Sequence, residues 1–228
     1  PFAEMLAEEY AKEFPDRPAV NVQGGGSSAG ARAALTGAAQ IGMMSRALSA
    51  SESELVPVVM AKDAIVLVVH PSNPVQGLSK EQVRGIFSGE IVSWDQVGGP
   101  PSRIHVVSRE EGSGTRGAFD ELVMEGGVVV PRAVVQDSNG AVRETVAGDK
   151  AGIGYISLGL VDQSVKALSI DGVAPSLENA QKGTYTLVRP FLLVHKGTLS
   201  PDAQHFVDYV TGAKGQSILA GEGLVTIK

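Results

Sequence analysis

Val106-Val107-Ser108-Arg109-Glu110-Glu111-Gly112-Ser113-Gly114-Thr115-Arg116 passes from a β-branched stretch into small residues and then into a helical pattern. The periodicity predicts a strand over 104–108 and a helix over 115–124, with Ala118, Phe119, Leu122 and Val123 as the apolar stripe. A strand, a glycine–serine loop and a helix in this order leave backbone N–H groups open at a helix start, with a partial positive charge behind them. Gly24-Gly25-Gly26-Ser27-Ser28-Ala29-Gly30 repeats the arrangement, between a strand candidate at 19–22 and an Ala-rich helical stretch that runs to Ala39.

Outward from these loops, strand and helix signals alternate along the whole chain. Phe2, Met5, Leu6, Tyr10 and Phe14 recur at helical spacing, with Glu4, Glu8, Glu9 and Lys12 on the other face. Extended apolar runs predict strands at 41–44, 58–60, 65–69, 128–135, 154–157, 166–170 and 191–195. Ser51 with Glu54, and Ser79 with Gln82, have capping-box spacing at helix starts. A further helix is predicted over 141–147. Another spans 201–210, with Ser200 as N-cap, Pro201 in the first turn and Gly212 closing it. The class is therefore α/β with parallel or mixed sheets. Segments 65–71 and 189–196 share one pattern of apolar strand, histidine and turn, and are candidate crossovers between two lobes.

Composition narrows the function. The chain has 228 residues, enough for two lobes of about 100 residues each, and at 43% hydrophobic and 19% charged it is not disordered. Its longest apolar run, 64–69, falls far short of the roughly 20 residues that a membrane-spanning helix needs. A net charge of −6 argues against nucleic acid as a partner. The absence of cysteine removes disulfides, thiolate nucleophiles and cysteine-based zinc sites together. The opening Pro1-Phe2-Ala3-Glu4 has no initiator methionine, which predicts a processed or truncated chain.

The two loops offer hydroxyl donors at Ser27, Ser113 and Thr115, and a charged fork at Arg109 or Arg116. Either loop alone reads as a turn with an N-cap. Two loops of the same chemistry, one preceded by an arginine, favour a small tetrahedral oxyanion. Competing motifs fail on the letters. Gly24, Gly26 and Ala29 match a relaxed dinucleotide pattern, but 39–51 holds no acid at the required distance. Neither loop carries the Walker Gly-Lys-Ser/Thr, and neither serine sits in G-x-S-x-G. His70, His105, His195 and His205 are scattered without metal spacing and are expected at the surface or at sheet edges. Glu110 and Glu111 are expected to be solvated loop charges.

The segment 106–116 resembles the signature of the phosphate-binding proteins that feed phosphate ABC transporters. So do Gly24-Gly25-Gly26-Ser27, Ile41-Gly42-Met43-Met44-Ser45-Arg46 and His70-Pro71-Ser72-Asn73-Pro74. Ile86-Phe87-Ser88-Gly89-Glu90-Ile91-Val92-Ser93-Trp94 and Gly152-Ile153-Gly154-Tyr155-Ile156 complete the match, in the family's order. The resemblance implies a type II periplasmic-binding-protein architecture: discontinuous α/β lobes joined by two crossover strands and closing over one phosphate in an interlobe cleft. The first lobe would be 1–69 plus 189–228 and the second 70–188. The family's usual N-terminal strand and loop would be lacking, since the chain opens within the first helix.

Carried over position by position, the phosphate ligands fall on Ser27, Ser45, Arg109, Ser113, Gly114 and Thr115. Gly26, Arg46, Gly112 and Asn139 are further candidates, although Arg46 could equally pair with a surface acid and Asn139 could belong to a structural N-cap. Some members carry an aspartate at the position of Ser45 and many carry Ser-Arg. The resemblance implies an exported solute-binding protein, in the periplasm or lipid-anchored at the outer face of the cell membrane. It would have no cofactor, no metal and no catalytic activity, and would deliver phosphate to the permease subunits of an ABC importer. The alternatives are a binder of sulfate or a phosphonate, or a phosphatase or esterase using Ser113 or Ser27 as nucleophile.

Overall fold

A computed structural model describes residues 2–227. In chain order the elements are α1 (Phe2–Glu13), α2 (Gly26–Thr36), β1 (Gly42–Met44), β2 (Leu55–Val69), β3 (Gly77–Leu78), α3 (Lys80–Ser88) and β4 (His105–Arg109). There follow α4 (Gly114–Phe119), β5 (Val134–Gln136), α5 (Asn139–Ala147), β6 (Gly152–Ser157), β7 (Lys166–Ala167), β8 (Ser169–Ile170), α6 (Leu177–Lys182), β9 (Val188–Lys196), α7 (Pro201–Thr211) and α8 (Ala213–Gly221). The chain forms two compact units, 1–62 with 189–228, and 63–188. The first division falls inside β2, at Lys62 and Asp63, and not after Val69 where the sequence places it. β2 is one unbroken strand of fifteen residues, and the charged pair Lys62-Asp63, which separates its two apolar runs, stands at the division.

In the first unit the strand order is β1-β9-β2. The period-2 alternation of β9 divides its side chains cleanly. Phe191 and Leu193 join Leu6, Tyr10, Phe206 and Val210 under α1 and α7, while Leu192 and Val194 join Ala31 and Ala34 under α2. His205 is half-buried: its Nδ1 lies 2.8 Å from the Tyr10 hydroxyl, and its ring meets Phe14 edge-on at 4.7 Å.

In the second unit β2 and β6 run antiparallel, while β6, β4 and β5 run parallel, giving a mixed sheet. Val66, Val68, Val107 and Ile156 face α5 through Val142 and Val146. The other face holds the ring cluster Phe87, Phe119 and Tyr155, with Phe119 stacked on Tyr155 at 4.1 Å.

Several local expectations are corrected. Residues 19–22 form no strand; they are mostly exposed and join no ladder. The predicted strand 128–135 shrinks to Val134–Gln136, because Pro131 has no N–H to give a ladder and the Val130 N–H goes to the Phe87 carbonyl at 2.7 Å. The strand 166–170 divides: β7 pairs with β2, whereas β8 pairs with β3 in a separate small sheet. The Ala-rich helix stops at Thr36, where Gly37 takes a left-handed C-cap. The helix at 115–124 starts at Gly114 and loosens into a π turn over Asp120–Met124. The capping box at 51/54 forms instead between Ser49 and Glu52, while the Ser79–Gln82 box forms as expected.

Candidate functional site

In the first unit the serines are brought together by a close backbone approach. A Cβ on Gly30 would lie 2.4 Å from the Met43 carbonyl oxygen, and one on Gly42 only 2.3 Å from that of Gly30. Glycine at both positions therefore lets α2 rest directly on β1. Ser27, on the first turn of α2, then meets Ser45, the residue after β1. Its Oγ accepts the Ser45 backbone N–H at 2.9 Å and lies 3.3 Å from the Ser45 hydroxyl. Ser27 is only 4% exposed. The N-cap of α2 is Gly25, which has no side chain to take the first N–H groups of the helix, and Gly26 adopts φ of 74°.

Arg189, at the start of β9, is a residue that the sequence reading does not single out as a ligand. It is buried, with Nη1 3.4 Å from both the carbonyl and the hydroxyl oxygen of Ser45 and the guanidinium 5.1 Å from the Phe191 ring centre. Arg46 faces an acid. Nη1 and Nη2 donate to the two Glu52 carboxylate oxygens at 2.8 and 2.7 Å, and the Ser49 N–H donates to the same carboxylate at 2.8 Å. These bonds, Arg46 foremost, hold the Glu52 carboxyl down at about 2 despite its burial.

In the second unit Arg109 ends β4 and is 8% exposed. Its fork is occupied by Glu110: Nε donates to one carboxylate oxygen at 2.9 Å and Nη2 to the other at 3.0 Å. Nη2 also reaches the Asp137 carbonyl at 3.3 Å. Glu110 is thus the partner of Arg109 and not a solvated loop charge. Adjacent residues diverge in direction, which argues against an acid pair with Glu111 but says nothing against a pair with Arg109.

Gly112 turns the loop at φ of 87°, and Ser113 caps α4, its Oγ accepting the Arg116 N–H at 3.3 Å. Ser113, Gly114 and Thr115 are all buried. Among the described residues the Thr115 hydroxyl makes no hydrogen bond, and neither Ser27 nor Ser113 bonds a basic side chain through its hydroxyl. At α5 the cap is Ser138, which accepts from Ala141 at 3.1 Å. Asn139 is the first helical residue, and its buried Oδ1 lacks a partner among the described residues.

Chemically the loops are sets of donors. Hydroxyls, helix-start N–H groups and one guanidinium suit an oxyanion. Each unit carries one such set: Ser27 and Ser45 in the first, Arg109 and 112–115 in the second.

A family model described as the PBP superfamily domain matches residues 1–214. The phosphate-binding protein PstS of Bacillus subtilis is 32% identical over 235 aligned positions, which take in 100% of this chain and 77% of that protein. A crystal structure from Clostridium perfringens, described as a phosphate ABC transporter substrate-binding protein with bound phosphate, superposes with a TM-score of 0.94. It is 38% identical, over 100% of this chain and 95% of that one. An ABC-type phosphate transport receptor from Vibrio cholerae superposes with a TM-score of 0.87 at 36% identity, over 99% of this chain and 95% of that one.

Proposed function

Because this chain belongs to the PBP superfamily, among the PstS phosphate-binding proteins, we propose that it captures inorganic phosphate and delivers it to an ABC importer. The observation that carries this reading is the Arg109 loop: a buried guanidinium beside a glycine-turned, serine-capped helix start. We assign Arg109, Ser113, Gly114 and Thr115 as ligands from the second unit, and Ser27 and Ser45 from the first. Gly26 and Gly112 shape the loops. Arg46 acts through Glu52, and Asn139 stands at the neighbouring helix start.

The protein acts by binding and not by turnover. Ser27 and Ser113 are hydrogen-bonded to another serine and to a backbone N–H, and nucleophilic catalysis needs a base at that position. Its place is outside the cytoplasm, with permease subunits as partners. Among the described residues no helix is long and apolar enough to cross a membrane.

Arg109→Ala tests the assignment. A hydrogen bond to a charged group is worth about 1.5–3 kcal/mol, so phosphate affinity should fall roughly tenfold to a hundredfold or more. An unchanged dissociation constant would remove Arg109 from the ligand set. Release of nitrophenol from a chromogenic phosphate ester would favour the hydrolase reading.

A further inference from the structure

We propose that Tyr155 is a positioning residue for the anion loop, holding Arg109 by its backbone; this rests on Arg109 being a phosphate ligand. The ladder between β4 and β6 ends at Val106 opposite Ile153. Alternation along β4 turns the Arg109 N–H to the same side as that of His105, which bonds Ala151 just ahead of β6. At Arg109 that ladder has already ended. The Tyr155 hydroxyl takes its place, accepting the Arg109 N–H at 3.3 Å and lying 2.9 Å from the Ser108 hydroxyl.

The same residue is held from its other end. Arg116, on α4, donates Nη1 to the Arg109 carbonyl at 2.9 Å, and its Nε stands 3.6 Å from Asp120. Both backbone polar groups of Arg109 are therefore fixed by side chains, one from β6 and one from α4. The side chain beyond them has its direction set before any anion arrives.

Tyr155 suits this role because its ring cannot drift. It is fully buried, stacked on Phe119 with the planes 4° apart and tilted 5.6 Å from Phe87. Burial raises its hydroxyl above the ordinary tyrosine range, so the group stays neutral and keeps both its donor and its acceptor at physiological pH. The structure thus supplies a rigid neutral post where the β4–β6 ladder has ended.

The test is a double-substitution cycle read by phosphate calorimetry. Tyr155→Phe keeps the stacked ring and removes only the hydroxyl. It should weaken phosphate binding roughly threefold to tenfold, the scale of one backbone hydrogen bond. In an Arg109→Ala background the same change should cost less than about twofold, because the residue it positions is gone. A merely structural tyrosine would cost the same in both backgrounds, and that result, or wild-type affinity in Tyr155→Phe, overturns the proposal. Should Tyr155→Phe fold poorly, Arg116→Ala gives the same cycle from the carbonyl side. If Arg109→Ala itself leaves affinity intact, the ligand assignment has failed, and the positioning role falls with it. If only Arg109→Ala weakens binding, the assignment stands and Tyr155 is exonerated.

Discussion

Glu110→Gln should tighten phosphate binding. In the structure the Glu110 carboxylate covers two of the Arg109 donors, at 2.9 and 3.0 Å, so on the proposed ligand assignment an incoming anion must share or displace it. The Glu110 side chain is 37% exposed and that of Arg109 9%, which places the pair between a surface and a buried salt bridge. Partly exposed pairs contribute at most about 1 kcal/mol, and removing that competition should lower the dissociation constant roughly fivefold. Glutamine keeps the length and one acceptor oxygen, so the loop retains its shape while losing the negative charge. The gain should shrink as salt rises, since part of it is relief of repulsion between the carboxylate and the anion. The assay is isothermal titration of both proteins with phosphate at two ionic strengths. Weaker binding in Glu110→Gln would mean that the carboxylate helps to hold the ligand, and the competition argument would be refuted.

Three other outcomes follow from the same geometry. Gly30→Ala should destabilise the first unit by about 1–3 kcal/mol and weaken phosphate binding, because the new methyl meets the Met43 carbonyl and lifts Ser27 away from Ser45; thermal melts and titration check both. Glu52→Gln should cost about 3 kcal/mol at neutral pH, since its carboxyl is held at about 2 in the folded chain. A folded-state value below the unfolded one gives stability that is present above about 4.5 and lost as pH falls toward about 2, so urea melts of the two proteins should converge there. Gly112→Ala should cost about 1 kcal/mol through its φ of 87° and weaken phosphate binding, measured by the same melts and titrations.

Much of this arrangement was legible in the letters. Helix starts marked by Ser79–Gln82 and by Ser200-Pro201 stand where their chemistry puts them, because capping is a local bargain between a side chain and the nearest orphan N–H groups. The two glycine–serine loops were visible for the same reason. What was not legible depends on partners distant in sequence. Residues 19–22 have strand composition but join no ladder, and Pro131 ends a β-branched run that composition alone would extend. Arg189 meets Ser45 across 144 positions of chain, and Tyr155 meets Arg109 across 46, so neither role has a local signal. The pairing of Glu110 with Arg109 was hidden differently: adjacent residues on a regular strand point apart, and it takes the end of β4 to bring them together.

The most direct measurement is a calorimetric titration of this chain with phosphate, followed by sulfate, near neutral pH. The expected result is saturable binding of one phosphate per chain, with sulfate binding more weakly and competing for the same donors. A phosphate titration that shows no saturable heat, or sulfate bound more tightly than phosphate, contradicts the proposed function.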